Sequence, residues 1–239
     1  MSFRSVAAAL LFAATFNLPA RASDKGIAGI TQPYLDVIVS APVQGIVNVA
    51  PCQEGDEVKE GQVILELDNK LEELEVMRRK AVMEFNRTDL DATRALVTKT
   101  KAVSKEELEK KTMEYNVAVA EHGIAEEQFR RRRIVAPFAG SVMEIFLQPG
   151  ASCEPYQPLV RLVDTKRCYF VGYLDATTLA SMKLGQAVKV EVAGLSAPAS
   201  IAFIAPVVDS ASGLTKVKAL VENATGAIRP GVAARLLIE

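Results

Sequence analysis

The chain has 239 residues, 28 basic and 29 acidic, for a formal net charge of −1. That balance excludes the strongly basic face a nucleic-acid binder needs. The hydrophobic fraction of 49% and charged fraction of 24% are ordinary for a globular protein. With no tryptophan and 6% aromatic residues, the core must be built from aliphatic side chains.

Residues 1–22 read as a secretory signal peptide. Arg4 supplies the positive start, Val6 to Leu18 a short apolar stretch, and Ala20-Arg21-Ala22 the small-residue cleavage site. About thirteen apolar-leaning residues fall short of the ~20 that a transmembrane helix needs; a retained N-terminal anchor is the competing reading. Ser23, not cysteine, follows the cut, which argues against a lipid-modified new terminus. Cleavage removes Arg4 and Arg21, leaving 26 basic against 29 acidic residues and a charge of −3. Residues 23–38 are expected to form an N-terminal strand or linker.

Two stretches then write nearly the same text. "VSAPVQGIVNVAPCQEGDEVKEGQVILELD" occupies 39–68 and "IVAPFAGSVMEIFLQPGASCEPYQPLVRLVD" occupies 134–164. Ala41-Pro42 matches Ala136-Pro137, Gly45 matches Gly140, Val47 matches Val142, Gly55 matches Gly150, Gln62 matches Gln157 and Leu67 matches Leu162, each at an offset of 95. A constant offset marks a true internal repeat. Each copy alternates apolar and polar residues, passes a glycine turn and ends in a short apolar strand. The turns predict a positive φ at Gly55 and Gly150. A copy of about thirty residues holds too few strands to be stable alone, so the two are expected to pair into one β-sandwich. An exported protein meets an oxidising compartment, and Cys52, Cys153 and Cys168 are an odd set. Two readings stand: a bridge between Cys52 and Cys153, or buried free thiols.

Between the copies, residues 69–133 change character. The segment has no proline, a single glycine (Gly123), and many good helix formers. Leu67, Leu71, Leu74, Ala81, Phe85, Ala92 and Ala95 trace a heptad-like stripe. Leu108, Tyr115, His122 and Phe129 trace another, with Ala118 and Ala125 between them. Ser104 followed by Glu107 is a capping box that starts the second helix. Two helices, Asp68 to Thr100 and Ser104 to Arg132, are expected. Because both must end on one sandwich, they form an antiparallel coiled-coil hairpin. Arg130 to Arg133 then complement the dipole of the last turn.

Residues 165–239 return to β structure. "CYFVGYL", "AVKVEVAGL", "ASIAFIAPVV", "TKVKALVEN" and "VAARLLI" are five strand candidates, and "DATTLASMKLG" suits one short helix. A small β-barrel or sandwich fits that set. The expected fold class is therefore mixed α and β with several domains: a split sandwich, an inserted helical hairpin and a small β-barrel.

No catalytic constellation emerges. His122 is the only histidine, which leaves no material for a His-based triad or multi-histidine metal site. Phosphate-loop, H-E-x-x-H and G-x-S-x-G motifs are missing. Met77, Met83, Met113, Met143 and Met182 are scattered, as core fillers are. No enzyme activity, cofactor or metal is expected.

Taken together, the pattern resembles the periplasmic adaptor proteins, also called membrane fusion proteins, of efflux pumps and type I secretion systems. The residues that carry the resemblance are the lipoyl-like motif split by a helical segment, "RIVAPFAGSV" at the return, and, in the following barrel, "LASMKLGQAVKVEV" and "VVDSASGLTKVKALVENATGAIRPGV" with Asn223 and Pro230-Gly231. The family often adds a membrane-proximal domain, which this sequence does not show after the barrel. The resemblance implies a periplasmic subunit linking an inner-membrane transporter to an outer-membrane channel, working as a homo-oligomer, with no nucleic acid. It places partner contact at the hairpin tip from Lys99 to Glu107, including Lys101. Val103 and Leu108 would give apolar area there, and Ser104 a hydrogen bond. Of the family's R-x3-L-x6-S pattern, Ser104 fits, Val97 stands in for leucine, and Arg94 sits one position too close. Two other readings compete. A biotin or lipoate carrier would present its lysine on a tight turn between the halves, whereas Lys70 lies at the start of a long helix. An exported structural or regulatory module would borrow the fold without transport.

Overall fold

The structure, a computed structural model, describes residues 26–99 and 103–238. The signal-peptide assignment and Lys101 lie outside the described residues. Strands β1 (Ile27–Ser40), β2 (Gly45–Val49), β3 (Glu57–Val58) and β4 (Val63–Leu67) lead into helices α1 (Lys70–Lys99) and α2 (Lys105–Arg130). Then come β5 (Arg133–Val135), β6 (Gly140–Ile145), β7 (Ser152–Cys153) and the long β8 (Pro158–Leu174). After the single turn α3 (Ala176–Leu179) follow β9 (Ala187–Val192), β10 (Leu195–Ile204), β11 (Thr215–Glu222) and β12 (Ala233–Leu237).

The sequence repeat becomes a pseudo-twofold sandwich in which each half completes the other. One layer has the strand order β5-β4-β2-β7; the other contains the end of β1, then β8, β6 and β3. The 95-residue offset maps one layer onto the other: β4 pairs β5 through Val63↔Val135 and Leu65↔Ile134, and β8 pairs β1 through Pro158↔Ser40 and Val160↔Val39. The loops follow the same rule. Gly55 N donates to Val142 O and Gly150 N to Val47 O, both at 2.8 Å. Ala41 N donates to Gln157 O and Ala136 N to Gln62 O, both at 2.9 Å. Gly55 and Gly150 have φ of +94° and +91°, the left-handed turn their sequence requires. Gly61 and its mate Tyr156 share that region at +77° and +66°. The shared interior buries Val47, Ile64, Leu65, Leu67, Val142, Leu159, Val160 and Leu162, the aliphatic core that the composition demands.

Cys52 and Cys153 lie in this core as free thiols, not a disulfide. Each sulfur turns to a different backbone carbonyl, Cys52 to Val63 and Cys153 to Val43. Cys168 is likewise buried and free, in the other core.

The barrel is closed by strands that also belong to the sandwich. Around it the order is β1-β12-β9-β10-β11-β8, and β8 returns to β1. β8 runs unbroken from Pro158 to Leu174, so "PLVRLV" and "CYFVGYL", read from sequence as separate strands, are one. The polar "DTKR" between them is satisfied within the strand: buried Asp164 accepts from Lys166 N at 3.0 Å and from Arg167 at 3.1 Å. Beside it, β1 also crosses both bodies, with a bulge between Pro33 and Leu35. Asn223 secures the β11–β12 connection against this ribbon. Its amide donates to Thr165 O and Ile228 O and accepts from Ile228 N. Buried Thr31 of β1 holds Gly231 and Val232 at the other end of the same connection. On the neighbouring surface Tyr34 stacks on Tyr169, and Arg167 lies 3.7 Å from the Tyr34 ring centroid.

Two glycines should respond in opposite directions. A Cβ at Gly140 would lie 2.5 Å from the Val163 carbonyl oxygen, so Gly140→Ala forces β6 away from β8 and lowers the urea midpoint of unfolding. Gly123, mid-helix in open space, meets nothing, and Gly123→Ala should stabilise α2 by about 1 kcal/mol. Equilibrium denaturation of both variants beside the parent chain measures the difference.

Candidate functional site at the helical hairpin

α1 leaves directly from β4 and α2 returns directly into β5, and β4 and β5 are hydrogen-bonded neighbours. The intervening chain must therefore go out and come back side by side. At 1.5 Å per residue the arms are roughly 45 and 39 Å long. Their base is clamped by Arg132, which donates to Glu72 at 2.6 Å and to Gln44 O at 2.8 Å. Arg133 reaches Glu66 at 3.5 Å and lies over the Phe129 ring. Only Arg130 of the arginine run lies in the last turn of α2. Arg130 and Arg131 pair with Glu127, while Arg132 and Arg133 brace the base rather than the helix dipole.

The seam between the arms differs from the sequence expectation on one side. On α2 the inward residues are Leu108, Tyr115, Ala118, His122, Ala125 and Phe129, the stripe read from sequence, with Ala118 and Ala125 fully buried. On α1 the inward positions are Val76, Arg79, Met83, Asn86, Leu90, Thr93 and Val97. Of the expected stripe, Leu67 lies in β4 and is buried in the sandwich core, whereas Leu71, Leu74, Ala81, Phe85, Ala92 and Ala95 are exposed. At the start of the helix Glu72 and Val76 turn toward α2, where Glu72 binds Arg132. Polar inward residues are then served across the seam. Arg79 bonds Glu121, and Lys111 bonds Asp89 at 2.9 Å and Glu114 at 3.1 Å. His122 packs in the seam with Nδ1 3.7 Å from Glu126, and its buried Nε2 has no hydrogen-bond partner.

At the tip, Ser104 caps α2: its Oγ accepts from Glu107 N at 3.1 Å, and Ser104 and Glu107 stand at the solvent end of the arm. Val97, Val103 and Leu108 are half-buried around this turn. Arg94 is exposed and reaches Asp91 at 3.5 Å. By the register of the Asp89–Lys111 pair, Arg94 stands at the height of the first turn of α2, beside Glu106 and Glu107 in height. Lys70, the residue a carrier reading would need, opens α1 and pairs with Glu73 at 2.6 Å. Among the described residues no group of three or more His, Cys, Asp or Glu side chains could hold a metal ion. No helix among them is long and apolar enough to cross a membrane.

A split sandwich carrying a helical hairpin on one strand pair and a barrel on the symmetry-related pair is the architecture of a membrane fusion adaptor. Residues 36–165 match the family model described as "RND MFP, barrel-sandwich hybrid domain", which places the chain in the RND membrane fusion protein family. An uncharacterized protein of Haemophilus influenzae is 27% identical over 201 residues, covering 83% of this chain. The chain spans about half of that relative, 52% of its length. Among solved structures, a MacA–MexA chimera containing the Pseudomonas aeruginosa MexA α-hairpin domain has a TM-score of 0.73 at 20% identity, covering 88% of this chain and 78% of its own. The membrane fusion protein Spr0693 of Streptococcus pneumoniae R6 has a TM-score of 0.68 at 16% identity, covering 90% and 98%. Both share the fold.

Two outcomes test the hairpin. Ser104→Ala removes the side-chain acceptor of Glu107 N and should weaken the start of α2 by about 1 kcal/mol. Hydrogen exchange should report faster exchange confined to the first turn of α2. The second concerns acid. Glu75, held by Arg78 and Arg79, and Glu127, held by Arg130 and Arg131, have carboxyls lowered from 4.5 to about 2. A depressed carboxylate stabilises the fold above its ordinary value, and that contribution fades as pH falls through the folded one. Hairpin helicity near its thermal midpoint should therefore drop between pH 4.5 and 2, and high salt should shrink the drop.

Proposed function

We propose that this protein is a periplasmic adaptor that links an inner-membrane transporter to an outer-membrane channel for efflux or secretion. The observation that carries this reading is the rigid two-helix arm on the β4–β5 exit of the sandwich. A stiff arm spans distance without enclosing a substrate site, so the activity is one of geometry: the molecule holds two partners in line. The tip residues Val103, Ser104, Glu107 and Leu108, with Val97 and Lys101, form the contact for the channel. Val103 and Leu108 give apolar area, and the exposed Ser104 hydroxyl offers a hydrogen bond beside its capping role. The barrel offers the docking face for the transporter. Export with a cleaved signal peptide puts the molecule in the compartment where both partners are reached.

Deleting the gene should sensitise cells to an exported compound. Replacing Ser104 with cysteine should yield a crosslink to an outer-membrane channel in intact cells. An unchanged export profile across a broad compound panel would remove the transport role. Tip-to-tip crosslinks with no channel adduct would point to an exported structural module instead.

A further inference from the structure

The strands place an uncommitted surface at the end of the barrel away from the sandwich. β8 runs from Pro158 in the sandwich to Leu174, where it meets Thr215, the start of β11. Gly29 pairs with Gly172 in antiparallel register, so Ile27, the start of β1, lies at that same end. The connections there are the β10–β11 loop, residues 205–214, and the turn before β9, residues 183–186. Both expose apolar side chains: Val207 is 74% exposed, Val208 51% and Leu184 67%.

Neither connection is slack. Ala205 N donates to Lys216 O and Asp209 N to Leu214 O, both at 2.9 Å, which carries the β10–β11 ribbon past its strands. The Asp209 carboxylate then closes the turn. It accepts from Ala211 N at 3.1 Å and from Ser212 N and Oγ at 2.8 Å. In the other turn Gly185 N donates to Ile201 O at 2.8 Å and Gln186 N to Lys183 O at 3.1 Å. The apolar side chains are therefore held outward on bonded backbone, and meeting a partner costs them no rearrangement.

Charge and position identify that partner. Lys183 and Lys216 flank the two connections, and among the described residues neither has a carboxylate partner. The acids nearby are spent on their own backbone: Asp209 on its turn, and Asp175 on Thr178 N at 2.8 Å. Tyr173, the register partner of Lys216, is 53% exposed. An apolar tip backed by a tyrosine and two lysines follows the depth profile of an anionic bilayer surface. Acyl chains accept the tip, and aromatic rings and lipid phosphates share the headgroup level behind it. A protein surface imposes no such order by depth. The sequence also brings this end to a membrane, since the apolar stretch Val6 to Leu18 precedes β1 by a short segment.

We propose that this end of the barrel rests on the anionic surface of a lipid bilayer, with Val207, Val208 and Leu184 entering the interface and Lys183 and Lys216 meeting lipid phosphates. This rests on the adaptor reading for orientation, in which the arm points away from the inner membrane. The lipid contact itself needs no protein partner.

Vesicle flotation with the purified exported chain tests the contact. Vesicles containing phosphatidylglycerol should carry the protein at low salt, and phosphatidylcholine vesicles or high salt should carry far less. Val207→Asp with Val208→Asp should weaken binding at least about tenfold. Lys183→Gln with Lys216→Gln should bring it down to the phosphatidylcholine level. Urea midpoints of both double variants should match the parent, because none of the four side chains is buried. A solvent-sensitive dye on Val208→Cys should shift to the blue with anionic vesicles, and one on Glu107→Cys at the arm's tip should not; the native thiols are buried. Binding no stronger than to phosphatidylcholine overturns the proposal. So does equal binding by the double valine variant, which would assign it to residues 1–25, and so does a photocrosslinker at Val208 that captures protein and no lipid in cells. Each of these leaves the adaptor reading standing, whereas export unaffected by gene deletion removes that reading and leaves vesicle binding as measured.

Discussion

The reciprocal hydrogen bonds between the two half-motifs are the constraint on which everything else rests. Neither half has enough strands to bury its own apolar face, so each borrows the carbonyls and side chains of the other. Gly55 bonds Val142 and Gly150 bonds Val47; Ala41 bonds Gln157 and Ala136 bonds Gln62. Because the exchange is symmetric, each layer has one strand pair, with one strand from each half, whose ends lead out of the sandwich. At β4–β5 that exit carries the hairpin, and at β8–β1 it carries the barrel. The helices are antiparallel for this reason and not because their own sequences choose an orientation.

The seam inside the hairpin is a modest core. Arg79, Asn86 and Thr93 occupy positions that a stronger coiled coil would fill with leucine; Asn86 lies beside Ala118 and Arg79 beside Ala125. Polar residues in a seam cost stability but select register, because a slip of one turn would leave them without partners. The Arg79–Glu121 and Asp89–Lys111 bonds set that register here. The arm draws the rest of its order from its base, where Arg132 ties both helices to the sandwich. A narrow inner seam also leaves Leu71, Leu74 and Phe85 of α1 facing outward.

At the opposite strand pair, continuity does the joining. β1 and β8 cross from sandwich to barrel as one two-stranded ribbon, with no linker between the two bodies. Asn223 and Thr31 fasten the β11–β12 connection to that ribbon, and Tyr34, Tyr169 and Arg167 stack beside it. Backbone pairing and satisfied buried polar groups both resist bending at this point.

The split sandwich, the helical insert and the strand-rich end were legible in the sequence because each rests on local signals: a fixed repeat offset, the absence of proline from 69 to 133, and alternating strands after 165. The capping geometry at Ser104 was legible for the same reason, since a cap involves residues three apart. Periodicity also found the α1 stripe of Leu71, Leu74 and Phe85, but it could not say which way that stripe faced. A heptad records that a helix has an apolar side; the rotation that aims it depends on how α1 leaves β4 and meets α2, where Glu72 and Arg132, sixty positions apart, are paired. The same limit split β8 in two, because the bonds that satisfy Asp164 inside a strand cannot be seen in the letters "DTKR". Sequence alone thus determined which elements exist and that the halves must meet. Only the tertiary structure decided which faces turn inward, because that choice is made by contacts between distant residues.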